Sequence, residues 1–155
     1  MNIFTAKKLG EVLAFATAGN ETIENNESLF REAMGVEMTA HIIEMNDLHA
    51  KNILHLADVH EIREAVLAKK EKTADKLRAM RDLYIGEKKN DASEMFEWLS
   101  FFEGAAYGHW SLVKGIAEGA DDEMLVELAD DGTGFHFELL NHIASELGDI
   151  GKDTV

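Results

Sequence analysis

"FFEGAAYGHWSLVKGIAEG", residues 101–119, carries one of the clearest helical patterns in the chain. With Met95 and Leu99 just before it, its apolar residues fall at Phe102, Ala106, Trp110 and Val113, in steps of three or four. That is the repeat of one face of an α-helix, and no two-residue alternation competes with it. Asp91 and Glu94 supply a start signal, an acid able to accept from the free first-turn N–H groups with a Glu three residues on, and Gly119 supplies a stop. One residue interrupts the apolar face. Glu103 lies beside Phe102 and Ala106, and a lone carboxylate there is costly unless paired, protonated or bound to a cation.

The same helical step recurs on both sides of this stretch. Met38, Ile42, Met45, His49, Ile53 and Leu56 share one face, as do Leu125, Ala129, Gly132, His136, Leu140, Ile143 and Leu147. Leu9, Leu13, Ala16, Ile23 and Phe30 give a first, more mixed face. There is no proline, so Gly, Asn and Asp do the punctuation. Helices are expected from near Thr5 to about Ala33, from Val36 to about Ala57, and from Asp91 to Gly119. A last one runs from Asp121 or Asp122 to Gly148, and a connecting helix from Asp58-Val-His-Glu61 to Ile85, stopped at Gly86. This is an all-α chain of one domain, residues 1–155. Four long amphipathic helices and a helical crossover between helices two and three predict an antiparallel four-helix bundle. A weak internal repeat agrees: "EVLAFATAG" from Glu11 aligns with "EWLSFFEGA" from Glu97, and "DLHAKNILH" (47–55) with "GFHFELLNH" (134–142).

Composition narrows the function classes. Without cysteine there are no disulfides, thiolate metal sites or cysteine nucleophiles, and a reducing, cytoplasmic setting is expected. No apolar run reads as a signal peptide or a membrane span. The net charge of −15 is concentrated in residues 91–155, which hold fifteen acidic residues against Lys114 and Lys152. Nucleic acid is not an expected partner of such a surface. The basic stretch "REAVLAKKEKTADKLRAMR" mixes both signs and reads as a solvated helix face.

Polar groups on the apolar faces are the site candidates. Both His-x5-His pairs fail as clamps, because six helical residues turn through about 600°, which leaves the rings about 120° apart. His49 and His136 fall on the inward faces, while His55 and His142 point aside. One Glu and two His from three helices are a reasonable ligand set for iron, manganese or zinc, so Glu103, His49 and His136 are the candidate metal ligands, with Glu24 or Glu27 as a fourth. The alternative is a core network in which Glu103 hydrogen-bonds to His49 or His136. Glu37, His41, Glu44 and His55 line a solvated face, His60 reads as a helix-start residue and His109 as an exposed one. Glycines in "ATAGN", "EGAAYG" and "GTG" (132–134) fit three uses: close helix contact, room for a small ligand in the bundle core, or a break before His136. Trp98 and Phe101, off the inward face, suggest an apolar patch and a homodimer.

"FFEGAAYGHWSLVKGIAEG", "NDLHAKNILHLAD" and "GTGFHFELLNHIASEL" together resemble the third, second and fourth helices of the ferritin-like superfamily, in particular its small rubrerythrin-like members. The resemblance implies a bundle with a helical crossover and a carboxylate-bridged pair of iron or manganese ions. Carried over by position, it matches Glu103, His49 and His136 to ligands. It departs at Asn46, Thr133 and Thr17, where the family pattern has glutamates. The expected function is therefore a ferritin-like protein with a reduced, mononuclear metal site acting in oxidative or metal stress. The alternative is a metal-free bundle serving as a small-ligand or protein-interaction module.

Overall fold

A computed structural model describes all 155 residues as six helices: α1 (Ile3–Glu24), α2 (Glu27–Met34), α3 (Val36–Val59), α4 (Arg63–Ile85), α5 (Ala92–Ala120) and α6 (Glu123–Asp153). Three starts are capped by short polar side chains. Asn2 accepts from the Thr5 N–H at 2.9 Å, Asp91 from that of Glu94 at 3.2 Å, and Asp122 from that of Leu125 at 3.1 Å.

The expected first helix is two helices. Asn26 turns its amide back to the Thr22 carbonyl at 2.8 Å, and this local bond competes with continuation of the helix. Nor does Asp58 open the connector. α3 runs on to Val59, Glu61 takes a left-handed conformation at φ 56°, and α4 starts only at Arg63, which pairs with Asp58 at 2.7 Å. α6 passes through Gly132, Gly134 and Gly148 without a break.

The expected antiparallel four-helix bundle with a crossover does not describe the packing. α1 is a central helix with fifteen of its 22 residues buried, lying against α3, α4 and α5. α4 is a packed wall rather than a connector, and it runs parallel to α1 in close contact. A Cβ at Gly10 would sit 2.5 Å from the Val66 carbonyl oxygen. Glu11 meets Lys69 at 2.9 Å and, one helical stretch further along both helices, Glu21 meets Arg78 at 2.7 Å. α6 packs mainly on α5, and a Cβ at Gly132 would lie 2.4 Å from the Trp110 indole, so only glycine lets that ring seat. α3 and α6 touch at few points, which leaves room for two cavities along their seam.

The core forms two apolar clusters. One surrounds Phe15, Phe96, Leu99 and Phe102; the other surrounds Leu9, Ile53, Trp110 and Leu125. Asn46 and His49 on α3 and His136 on α6 are buried between residues of the two clusters along their helices, and Glu103 on α5 is buried beside Phe102 and Ala106 of the first. No helix is long and apolar enough to cross a membrane.

Candidate functional site

His49, Glu103 and His136 are 0%, 3% and 2% exposed, so all three face inward. They form two hydrogen-bonded pairs and no common ligand set. His136 Nδ1 lies 2.5 Å from Glu103 Oε2, while His49 Nε2 turns the other way, to Asp131 Oδ2 at 2.9 Å. The two imidazole centroids are 6.1 Å apart, and Trp110 packs beside both rings. With carboxylate oxygens as acceptors, the protons belong on His136 Nδ1 and His49 Nε2. The other nitrogens, His49 Nδ1 and His136 Nε2, are buried without partners. Burial pushes the His49 pKa down, and the neighbouring His136 acts in the same direction. The hydrogen bond and charge of Asp131 oppose the shift without cancelling it.

This geometry overturns the metal reading. Glu103 is engaged by His136, His49 is engaged by Asp131, and no group of three or more His, Asp or Glu side chains is placed to hold an ion. A fourth ligand from Glu24 or Glu27 is absent too: both are exposed, and Glu27 pairs with Arg31 at 2.6 Å. The residues at the missing glutamate positions serve local or core bonding. Thr133 and Thr17 donate to the carbonyls of Ala129 and Leu13 in their own helices. Asn46 donates to Asn20 Oδ1 at 2.9 Å, and Asn20 in turn donates to Asp47 and to the Ile43 carbonyl. An iron, manganese or zinc centre therefore has no support in the side-chain arrangement.

The remaining histidines divide between ion pairs and a groove. His109 is tied to Glu11 Oε2 at 3.0 Å rather than left to solvent. Burial alone would raise the Glu11 pKa, but the hydrogen bonds from Lys69 and Lys8 outweigh it and leave the carboxyl below its ordinary value. His60 follows the end of α3 and pairs with Asp122, the cap of α6, at 2.8 Å.

His55, His41 and His142 line the open α3–α6 seam. At one end a cavity of about 300 Å³ is bounded by Asn52, His55 and Leu56 from α3 and by Met124, Glu127, Leu128 and Asp131 from α6. At the other end a cavity of about 100 Å³ lies among Met38, His41, Ile42, Phe135, Glu138, Leu139 and His142. Phe135, in the lining of the second cavity, packs edge-on against both His41 and the buried His49. Asp131 belongs to both settings: its carboxylate receives the buried His49, yet the side chain is half exposed in the groove. Sequence reasoning missed Asp131, Glu127 and Phe135, because neither acid interrupts an apolar face and a phenylalanine in a helical stretch carries no signal of its own.

The glycines expected to leave room in the core do not do so. The space at Gly132 is filled by Trp110, and that at Gly19 by Phe102 and Asn46, while Gly104, Gly108 and Gly134 face open space. With no metal cluster and a packed α4, the structure does not bear out the ferritin-like resemblance. Compared with known protein families, with curated proteins and with solved structures, the chain matches none.

Proposed function

We propose that this chain is a metal-free helical binding module whose site is the α3–α6 groove, and that the groove takes a small organic cation. The observation that carries this is the chemistry of the larger cavity. Glu127 and Asp131 present two carboxylates, His55 and Asn52 add hydrogen-bonding groups, and Leu56, Leu128 and Met124 give an apolar floor. A protonated amine on a short hydrocarbon body matches that lining: the ammonium group makes charge-assisted bonds to the acids while the body covers the leucines. The −15 net charge adds a long-range field that draws cations toward the molecule.

His49 acts beneath the site as a positioning residue. The His49 hydrogen bond orients the Asp131 carboxylate from behind, and a locked support of this kind keeps a binding group in one geometry. The cysteine-free sequence agrees with a cytoplasmic setting.

The test is a thermal-shift and calorimetric panel of alkylamines, polyamines, matched carboxylates and divalent metal ions. Amines are expected to raise the melting temperature and carboxylates to leave it unchanged. Glu127→Gln is expected to weaken amine binding about tenfold, the loss of one charge-assisted bond. If no amine binds, or if binding survives Glu127→Gln together with Asp131→Asn unchanged, the reading fails.

A further inference from the structure

The outer face of α5 is unlike the rest of this molecule. Phe101, Ala105, Gly108, Leu112 and Gly115 are all exposed and follow one another at steps of three or four. Gly104, Gly108 and Gly115 have open space above them. Between Glu97 and Lys114 this face carries no charged side chain: Glu103 is buried, and His109 is turned to Glu11. Trp98, expected to share the patch, is instead buried at 3% and packs beside Tyr84 of α4, which also touches Phe101. Tyr84, next in α4 to the exposed Leu83, extends the apolar surface on one flank, and Phe137 of α6, against Tyr107, extends it on the other.

We propose that this face is the interface of a homodimer, with two copies of α5 antiparallel about a twofold axis between Ala106 and Tyr107. Charge permits a second copy at this face, and the pattern and area of the face select it. A second copy carries the same −15, so close approach is repulsive wherever acids face one another, and the central stretch of α5 is uncharged. The sequence is also self-complementary about that axis. Phe101 lies opposite Leu112 of the second copy, and Ala105 lies opposite Gly108. Phe101 then enters a hole made by Gly108, Ser111, Leu112 and Gly115 of that copy, where two glycines make room for the ring. Area is adequate. Leu83, Tyr84, Phe101, Leu112 and Phe137, exposed by 40–86%, offer roughly 600 Å² of side chain, on the scale of the ~800 Å² each partner buries in a standard interface. This inference stands independently of the groove, which opens between α3 and α6.

Sedimentation equilibrium across the micromolar to millimolar range tests it. The wild-type chain is expected to sediment as a dimer, and Ala105→Glu, an exposed change that keeps the helical circular dichroism, as a monomer. Because the chain has no cysteine, orientation can be read by oxidation. A mixture of Phe101→Cys and Leu112→Cys chains is expected to cross-link as the mixed pair, and neither variant with itself. A wild-type monomer at every concentration, a dimer indifferent to Ala105→Glu, or cross-links between like chains only would each overturn the proposal.

Discussion

The side chain of Asp131 joins the buried polar pairs to the surface, so residue-scale tests centre on what lies behind it. His49 has its folded pKa below the ordinary histidine value of 6.5, chiefly through burial. The folded state therefore binds fewer protons than the unfolded chain once pH falls below that value, and stability drops as pH decreases from 6.5 toward the folded pKa. Urea unfolding between pH 8 and pH 5 is expected to show this loss, about 1.4 kcal/mol for each unit by which the pKa is lowered. His49→Gln is expected to flatten that part of the profile; an unchanged slope would assign the pH dependence to another group. Gly132→Ala tests the packing above the same rings. Its Cβ would lie 2.4 Å from the Trp110 indole, and destabilisation by about 1–3 kcal/mol in denaturant titration is expected from the forced shift. At this scale the sequence showed the inward direction of His49, Glu103 and His136, because helical spacing fixes direction. It did not show their partners. Whether Glu103 meets His136, and whether His49 meets Asp131, depends on the rotation of α3, α5 and α6 about their axes, which no periodicity records.

A helix start is legible in sequence at Asp91, and to within one residue at Asp121 or Asp122, where the structure makes Asp122 the cap; it is not legible where two signals compete. Asn25 and Asn26 divide the first helical stretch without a glycine or proline, and Asp58 mimics a cap while pairing with Arg63 inside and beyond α3. Asp91→Ala is expected to destabilise the chain by about 1 kcal/mol, the usual worth of such a cap. Asp122→Ala is expected to cost more, because Asp122 also holds His60 at 2.8 Å and so ties the end of α3 to the start of α6. Thermal or urea unfolding of the two variants side by side checks the ordering, and equal losses would remove the inter-helix role of Asp122. The amphipathic pattern of α4 is weak because its apolar contacts are supplemented by ion pairs to α1 at Glu11 and Glu21. That is the physical reason it reads as a connector in sequence and appears as a wall in the structure.

Across the whole molecule, the all-α class follows from spacing alone, whereas the arrangement follows from close contacts at glycines and from which helix faces remain uncovered. α1 is sheathed by three neighbours, α6 leans on α5, and the consequence is an open α3–α6 seam with acids at its mouth. A resemblance in helix order and in three inward polar residues was insufficient to predict a metal centre, because bridging carboxylates are a matter of partners rather than of positions. On the function proposed above, this seam binds organic cations through Asp131 and Glu127. The most direct measurement is a ¹⁵N-resolved titration of the full chain with a short alkylamine, following every backbone amide. Saturable shifts are expected only in the neighbourhood of Asn52, His55, Glu127 and Asp131, and are expected to be lost in Glu127→Gln. Shifts centred elsewhere, or none at saturating amine, would contradict that function.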